Sequence, residues 1–363
     1  MSARFSISSI NAIPSSAIVV SIPVPGVATR TFSKFGDDRQ RYRRPRAASY
    51  ATRRDTTGAM MLFCTTAIAF CAALNMLRRK SIRGCDVENR FTQLEAQNAK
   101  SIQRRDEFRR AVHAGEAHPN AYQTLKHEFP FHGFVECRSG DLTFSMFSAN
   151  DDVVAWQFFW GGRDSYESEI IAKWAEWAKS AQSVLDIGAY TGLMSIIAAM
   201  VNPDCEIHAM EPIPQTAERA RINLRANQVE RQVTIHNRAA ANESGPEMIN
   251  LYRGGDVLGA GNSIHDKGGK KIFNRQMIQT VNVDQYLGHK RFDLIKVDVE
   301  GFETHTLMGL RRIMKRDRPK LVLELWKENE ADVFRLLDTL EYRYQPVERE
   351  PVRVMNYFCE PME

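Results

Sequence analysis

Residues 183–201, SVLDIGAYTGLMSIIAAMV, carry the most structural information in the chain. SVLDI (183–187) is a short apolar run of strand character, and TGLMSIIAAMV (191–201) is apolar at helical length, so the segment reads strand, tight turn, helix. Gly188 lets the backbone turn sharply and approach a ligand without a Cβ in the way. Gly192 permits close packing at the start of the helix. The spacing is G-x-x-x-G, short of the G-x-G-x-x-G of dinucleotide-binding proteins, which disfavours an NAD-dependent dehydrogenase.

The same alternation continues downstream. Strand CEIHAM (205–210) precedes helix 214–228, and strand QVTIHNRA (232–239) precedes a looser stretch containing MINLY and MIQTVNV. Strand FDLIKVDV (292–299) precedes helix 302–316, and KLVLEL (320–325) precedes helix 329–340. Two β-like pieces, EYRYQPV (341–347) and VRVMNYF (352–358), follow. Strands alternating with helices predict an α/β, doubly wound, Rossmann-like sheet, mostly parallel with an antiparallel C-terminal hairpin. Ligands bind such sheets at the carboxyl ends of the strands, near the topological switch point.

Upstream, composition divides the chain. Residues 1–57 hold ten Lys/Arg against three Asp/Glu, a net +7; with the whole chain at +5, the rest sums to −2. The basic character thus belongs to a Ser-, Arg- and Pro-rich tail that reads as disordered, and the near-neutral body is no nucleic-acid footprint. Residues 58–77, GAMMLFCTTAIAFCAALNML, carry no charge and form a candidate transmembrane helix, the basis for expecting a membrane association. A start near Met60 predicts a cytoplasmic protein instead, and an Arg- and Ser-rich leader also fits a mitochondrial transit peptide. Residues 78–130 read as a polar, solvated helical linker, and FVECRSGDLTFSMF (134–147) as a β-hairpin turning at Ser139-Gly140-Asp141. The catalytic domain is assigned to 131–363. Six scattered cysteines form no C-x-x-C pair or Cys/His cluster, which points to a reduced compartment and no zinc site.

The candidate functional residues fall at strand ends. Asp186 ends the strand before the glycine turn and, with Gly188, Ala189 and Gly192, forms the predicted cofactor turn. Glu211 ends the next strand, where a carboxylate can accept both ribose hydroxyls of an adenosyl ligand, and Asn237 is placed near its adenine. Lys296-Val297-Asp298-Val299-Glu300-Gly301-Phe302-Glu303 brings three carboxylates together. Such a cluster can orient a hydroxyl, accept its proton or hold a hard cation such as Mg²⁺; no metal ligands are assigned. Glu324, inside LVLEL, requires a polar partner to offset its burial. His265 and His305 are alternative bases. Trp156, Phe158, Phe159, Trp160 and Tyr166 form either a substrate lid or core.

VLDIGAYTGLMS (184–195), HAMEP (208–212), FDLIKVDVEGFETHTLMGL (292–310) and LVLEL (321–325) resemble, in order and spacing, the FkbM family of S-adenosylmethionine-dependent methyltransferases. Tyr166-Glu167, Gly261-Asn262-Ser263 and the segment from Val283 to Leu287 resemble further family elements. The likeness covers roughly residues 140–350. It implies S-adenosylmethionine as cofactor and O-methylation of a small-molecule hydroxyl on a sugar, polyketide or other natural product. Asp298 and Glu300 are then the catalytic candidates, and Tyr166, Glu167, Glu303 and Glu324 the substrate candidates. Amino-group methyltransferases of nucleic acid carry Asn/Asp-Pro-Pro-aromatic where this chain has Asp298-Val299-Glu300-Gly301, so no nucleic-acid partner is expected. The competing expectation is a membrane-anchored binding or scaffold protein that keeps the fold without turnover.

Overall fold

Strand β3 (Ser183–Ile187) is buried at every position and has parallel neighbours on both sides, β4 (Glu206–Met210) and β9 (Leu294–Val297). Runs buried on both faces are what a parallel sheet covered by helices requires. The computed structural model describes residues 87–252, 258–259 and 261–362. The basic tail and the apolar run 58–77 lie outside the described residues; among those described, no helix is long and apolar enough to cross a membrane.

The main sheet has seven strands in the order β11-β12-β10-β9-β3-β4-β5. Here β5 is Val233–His236, β10 Lys320–Trp326, β11 Tyr342–Pro346 and β12 Val354–Pro361. Five strands from β10 to β5 are parallel, while β12 runs antiparallel to both β10 and β11. The expected C-terminal hairpin is present, with its second strand inserted between the first and the sheet. Strand order reverses between β3 and β9, which makes that junction the topological switch point.

Helices cover both faces. Val184, Ile207, Leu294 and Val322 face one core, shared with helices 168–178 and 193–201; Leu185, Ile187, Ile295 and Leu323 face the other, shared with helices 303–309, 311–317 and 330–339. A separate three-stranded sheet, β6 (Ala239–Ala241), β8 (Asn274–Asn282) and β7 (Gly245–Leu251) in that spatial order, accounts for the loose stretch after β5.

The predicted hairpin forms as β1 (His132–Ser139) and β2 (Leu142–Ala149), turning at Gly140-Asp141. Its free edge is tied down by side chains from helix 214–226 and its cap. Asn227 Oδ1 accepts from the Ser145 N–H at 2.8 Å, Asn227 Nδ2 donates to the Ser145 carbonyl at 2.8 Å, and Asn223 Oδ1 accepts from the Phe147 N–H at 2.8 Å. Two readings are corrected here. The linker 78–130 contains a helix at Val87–His113, but Ser101 and Phe108 on it are buried and Arg109 donates to the carbonyls of Phe158, Phe159 and Trp160. Its second half is therefore packed against the body. Trp156, Phe158, Phe159 and Trp160 are at most 3% exposed, so they are core and not a lid.

Candidate functional site

The carboxyl ends of β3, β4 and β9 open onto a cavity lined by Gly188, Tyr190, Glu211, Ile213, Asp298, Glu300 and Glu324 among others. Its lining includes five carboxyl groups, Glu167, Glu211, Asp298, Glu300 and Glu324, and one guanidinium, Arg238, with the Lys296 and Lys267 ammonium groups paired to Asp298 and Glu300.

Gly188 has φ +77, and a Cβ there would lie 1.7 Å from the Asp298 carbonyl oxygen. Its missing side chain therefore serves the crossing of the β3 and β9 loops at the switch point, where Asp298 N–H also donates to the Ile187 carbonyl at 3.0 Å. Gly192 has φ +91, and its Cβ would sit 3.3 Å from that of Ala220, consistent with close packing at the helix start. Gly188 and Ala189 N–H groups both donate to the Met210 carbonyl, at 2.9 and 3.0 Å, fixing the turn onto β4.

Glu211 is buried, and its oxygens accept from the backbone N–H of Tyr190 (3.1 Å) and Ile213 (2.8 Å). Burial pushes its carboxyl up to about 8 despite those two hydrogen bonds. Asn237 does not line the cavity; its amide donates to the Glu211 carbonyl at 2.8 Å, and Arg238 takes the position on the wall. Asp186 is also behind the wall. Its Oδ2 accepts from Ser195 Oγ at 2.7 Å, while Oδ1 is buried with no hydrogen-bond partner among the described residues. Burial raises its carboxyl above the ordinary range, opposed by the Lys296 cation. Oδ1 is thus a buried acceptor without a donor, set beside the turn and outside the cavity lining.

The far wall holds the catalytic candidates. Lys296 pairs in register with Asp186 across the sheet, and its Nζ reaches Asp298 Oδ2 at 2.6 Å. Burial alone would lower this ammonium, but Asp298, Glu167 and Asp186 more than offset it and hold Lys296 above its usual range. Glu300 Oε2 accepts from Lys267 Nζ at 2.6 Å, and Lys267 also donates to the Gly261 carbonyl at 2.9 Å. Glu324 is pushed well up by burial and then by Asp298 and Glu300; Glu167 is raised by burial, with Lys296 opposing. Carboxylate oxygens of Asp298, Glu300 and Glu324 lie within 4.8 Å of one another, a grouping that can hold a cation.

Tyr166 and Glu167 line the cavity, as the resemblance implied. Glu303 does not. It is buried, its Oε1 accepting from Gly301 N–H at 2.7 Å and its Oε2 from Asn329 Nδ2 at 2.5 Å, so it braces the turn that carries Glu300. His265 is exposed beside a second cavity, and His305 stacks on Phe302 at 4.4 Å. Of the eight non-glycine residues with left-handed backbone among the described residues, three, Glu167 (φ 39), Tyr190 (φ 49) and Glu300 (φ 56), line the main cavity. Tyr190, Arg238, Lys267 and Lys296 received no role from the sequence. Only Lys296 signalled itself, as a charge inside an apolar strand.

The segment from Asp186 to Pro346 matches the methyltransferase FkbM domain. A tRNA1(Val) (adenine(37)-N6)-methyltransferase of Aliivibrio fischeri is 34% identical over 71 residues, which cover 20% of this chain and 30% of that protein. This chain thus spans about a third of the length of that relative. Among solved structures, a methyltransferase FkbM from Methylobacillus flagellatus is 18% identical with a TM-score of 0.36, covering 49% of this chain and 43% of that one. The O-methyltransferase TomG from Streptomyces achromogenes, in complex with SAM, is 15% identical with a TM-score of 0.35, covering 53% and 79%. Residues 186–346 of this chain belong to the methyltransferase FkbM domain family.

Proposed function

We propose that the chain is an S-adenosylmethionine-dependent methyltransferase that O-methylates a hydroxyl on a small molecule such as a sugar or polyketide. The observation that carries this reading is one cavity at the switch point that Gly188, Glu211, Asp298, Glu300 and Glu324 line together. S-adenosylmethionine, when bound, supplies an electrophilic methyl group on a positively charged sulfur.

Glu211 is the group assigned to the cofactor's ribose end, and Asp186, hydrogen-bonded to Ser195 behind the Gly188 turn, is assigned the positioning of that turn. Asp298 Oδ2 is engaged by Lys296, leaving Oδ1 as the acceptor for the proton that a hydroxyl would lose on methyl transfer. Glu324, whose carboxyl is pushed well up by burial and by its carboxylate neighbours, lines the same cavity and can orient the acceptor, and alignment is the larger part of the task. Tyr166 and Glu167 contribute to the same wall.

Calorimetric titration of the full chain with S-adenosylmethionine, and separately with NAD, tests the cofactor. Saturable binding of the first alone, lost in Glu211→Ala, is expected; a folded chain that binds neither overturns the reading. Incubation with methyl-labelled cofactor then compares hydroxylated small molecules with tRNA. Label on a small-molecule oxygen supports the proposal, label confined to a tRNA base nitrogen replaces the acceptor class, and cofactor binding with no transfer favours a non-catalytic protein.

A further inference from the structure

The outer face of the three-stranded sheet carries side chains that the methyl-transfer site does not use. Phe273 is 61% exposed and Met277 65%, two pleats apart on the same face. Met248 lies directly opposite Met277 on β7 and is 39% exposed. Lys270, Lys271 and Arg275 are exposed in the same stretch and form no ion pair among the described residues. Arg275 spends one N–H on the Asn250 side chain, at 3.0 Å. Aromatic and thioether groups left in water beside Lys271 and Arg275, with Lys270 at 5.9 Å from the Trp326 ring centroid, form a surface matched to a layer that is anionic outside and apolar within.

We propose that this face docks on an anionic membrane, with Phe273, Met277 and Met248 entering the acyl boundary while Lys270, Lys271 and Arg275 meet lipid headgroups. Single-stranded nucleic acid also pairs cations with an aromatic platform, but it has no use for two exposed methionines. The proposal concerns Met248 and residues 270–277 alone and is independent of the apolar run 58–77.

The five native tryptophans include no exposed one; Trp156, Trp160, Trp174, Trp177 and Trp326 are all at most 7% exposed. Full-length Phe273→Trp therefore adds a single surface indole as a local reporter. With vesicles of phosphatidylcholine and phosphatidylglycerol containing brominated acyl chains, its emission should shift to the blue and lose roughly half its intensity. High salt or Lys270→Glu/Lys271→Glu/Arg275→Glu should abolish both changes, and unsubstituted protein should show neither. Any of three results overturns the proposal. The first is unchanged reporter emission in a chain that sediments with the vesicles, which would locate binding elsewhere. The second is a concentration-dependent blue shift without vesicles, indicating a second copy. The third is quenching by single-stranded RNA in preference to vesicles.

Discussion

At Gly188 the cost of a single methyl group is unusually well defined. Its Cβ would stand 1.7 Å from the Asp298 carbonyl oxygen, and φ +77 is a conformation that side chains resist. Backbone cannot step aside as a flexible side chain can. Gly188→Ala should lower stability by more than ~3 kcal/mol in urea titration; a loss under ~1 kcal/mol would mean that the two loops separate freely. Glu211 makes a different prediction. Its carboxyl sits near 8 instead of the ordinary 4.5 because it is buried, so the folded state holds a proton that the unfolded chain has already released. That contribution is complete below about pH 4.5 and is lost as pH rises through about 8. Glu211→Gln leaves one of the Tyr190 or Ile213 N–H groups without an acceptor, at ~1–3 kcal/mol. The stability gap between variant and parent should be widest near pH 5 and narrow towards pH 9; a constant gap would refute ionisation at this position.

Two elements carry further predictions. On β4 and β5, His208 Nδ1 and His236 Nε2 are 2.9 Å apart, His236 Nδ1 is 3.1 Å from Tyr286 Oη, and His208 Nε2 is 3.2 Å from Glu206. In this row both rings are neutral, and one donates while the other accepts across the 2.9 Å contact. Burial, and for His236 the neighbouring His208, pushes both imidazoles down, His236 to about 4. The stability this provides is complete above about pH 6.5 and is lost as pH falls through about 4. An NMR titration of His236 should show a midpoint near 4, whereas one near 6.5 would dissolve the row. On β2, Asn223 accepts from Phe147 N–H and donates to the Thr191 carbonyl at 2.9 Å, joining the hairpin edge to the cofactor turn. Asn223→Ala should cost ~2 kcal/mol by urea denaturation, and an unchanged midpoint would show that water replaces both bonds.

Over the whole molecule, legibility followed locality. Strands β3, β4 and β9 were readable because each is a short apolar run followed by Gly or an acid, β10 because it is a short apolar run before a helix, and the hairpin because its alternation brackets Gly140-Asp141. The three-stranded sheet was not, since Ala239–Ala241 has no strand signature and gains its place only by pairing with Thr280–Asn282. In the site, carboxylates at strand ends were legible, but Tyr190 and Lys267 lie on loops whose course only tertiary packing sets. Asn237 and Glu303 were read as ligand contacts because sequence places a residue near a site without saying which way it points. The aromatic run 156–160 is interior for a related reason: the helix 87–113 that covers it looks polar in isolation.

Domain limits drawn from the family match also differ from structural ones. Residues 186–346 stop after β11, whose sole partner among the described strands is β12 at Val354–Pro361. A chain ending at 346 should therefore fail to give a cooperative melt by calorimetry, and a sharp transition in that fragment would show β11 and β12 to be dispensable. The insertion of β12 between β10 and β11 also orders events during synthesis. On the ribosome, β10 and β11 emerge first but cannot sit side by side, because the space between them is reserved for a strand still to be made. An apolar edge thus stays open until Val354–Pro361 clears the exit tunnel, and chaperone demand should concentrate in that interval.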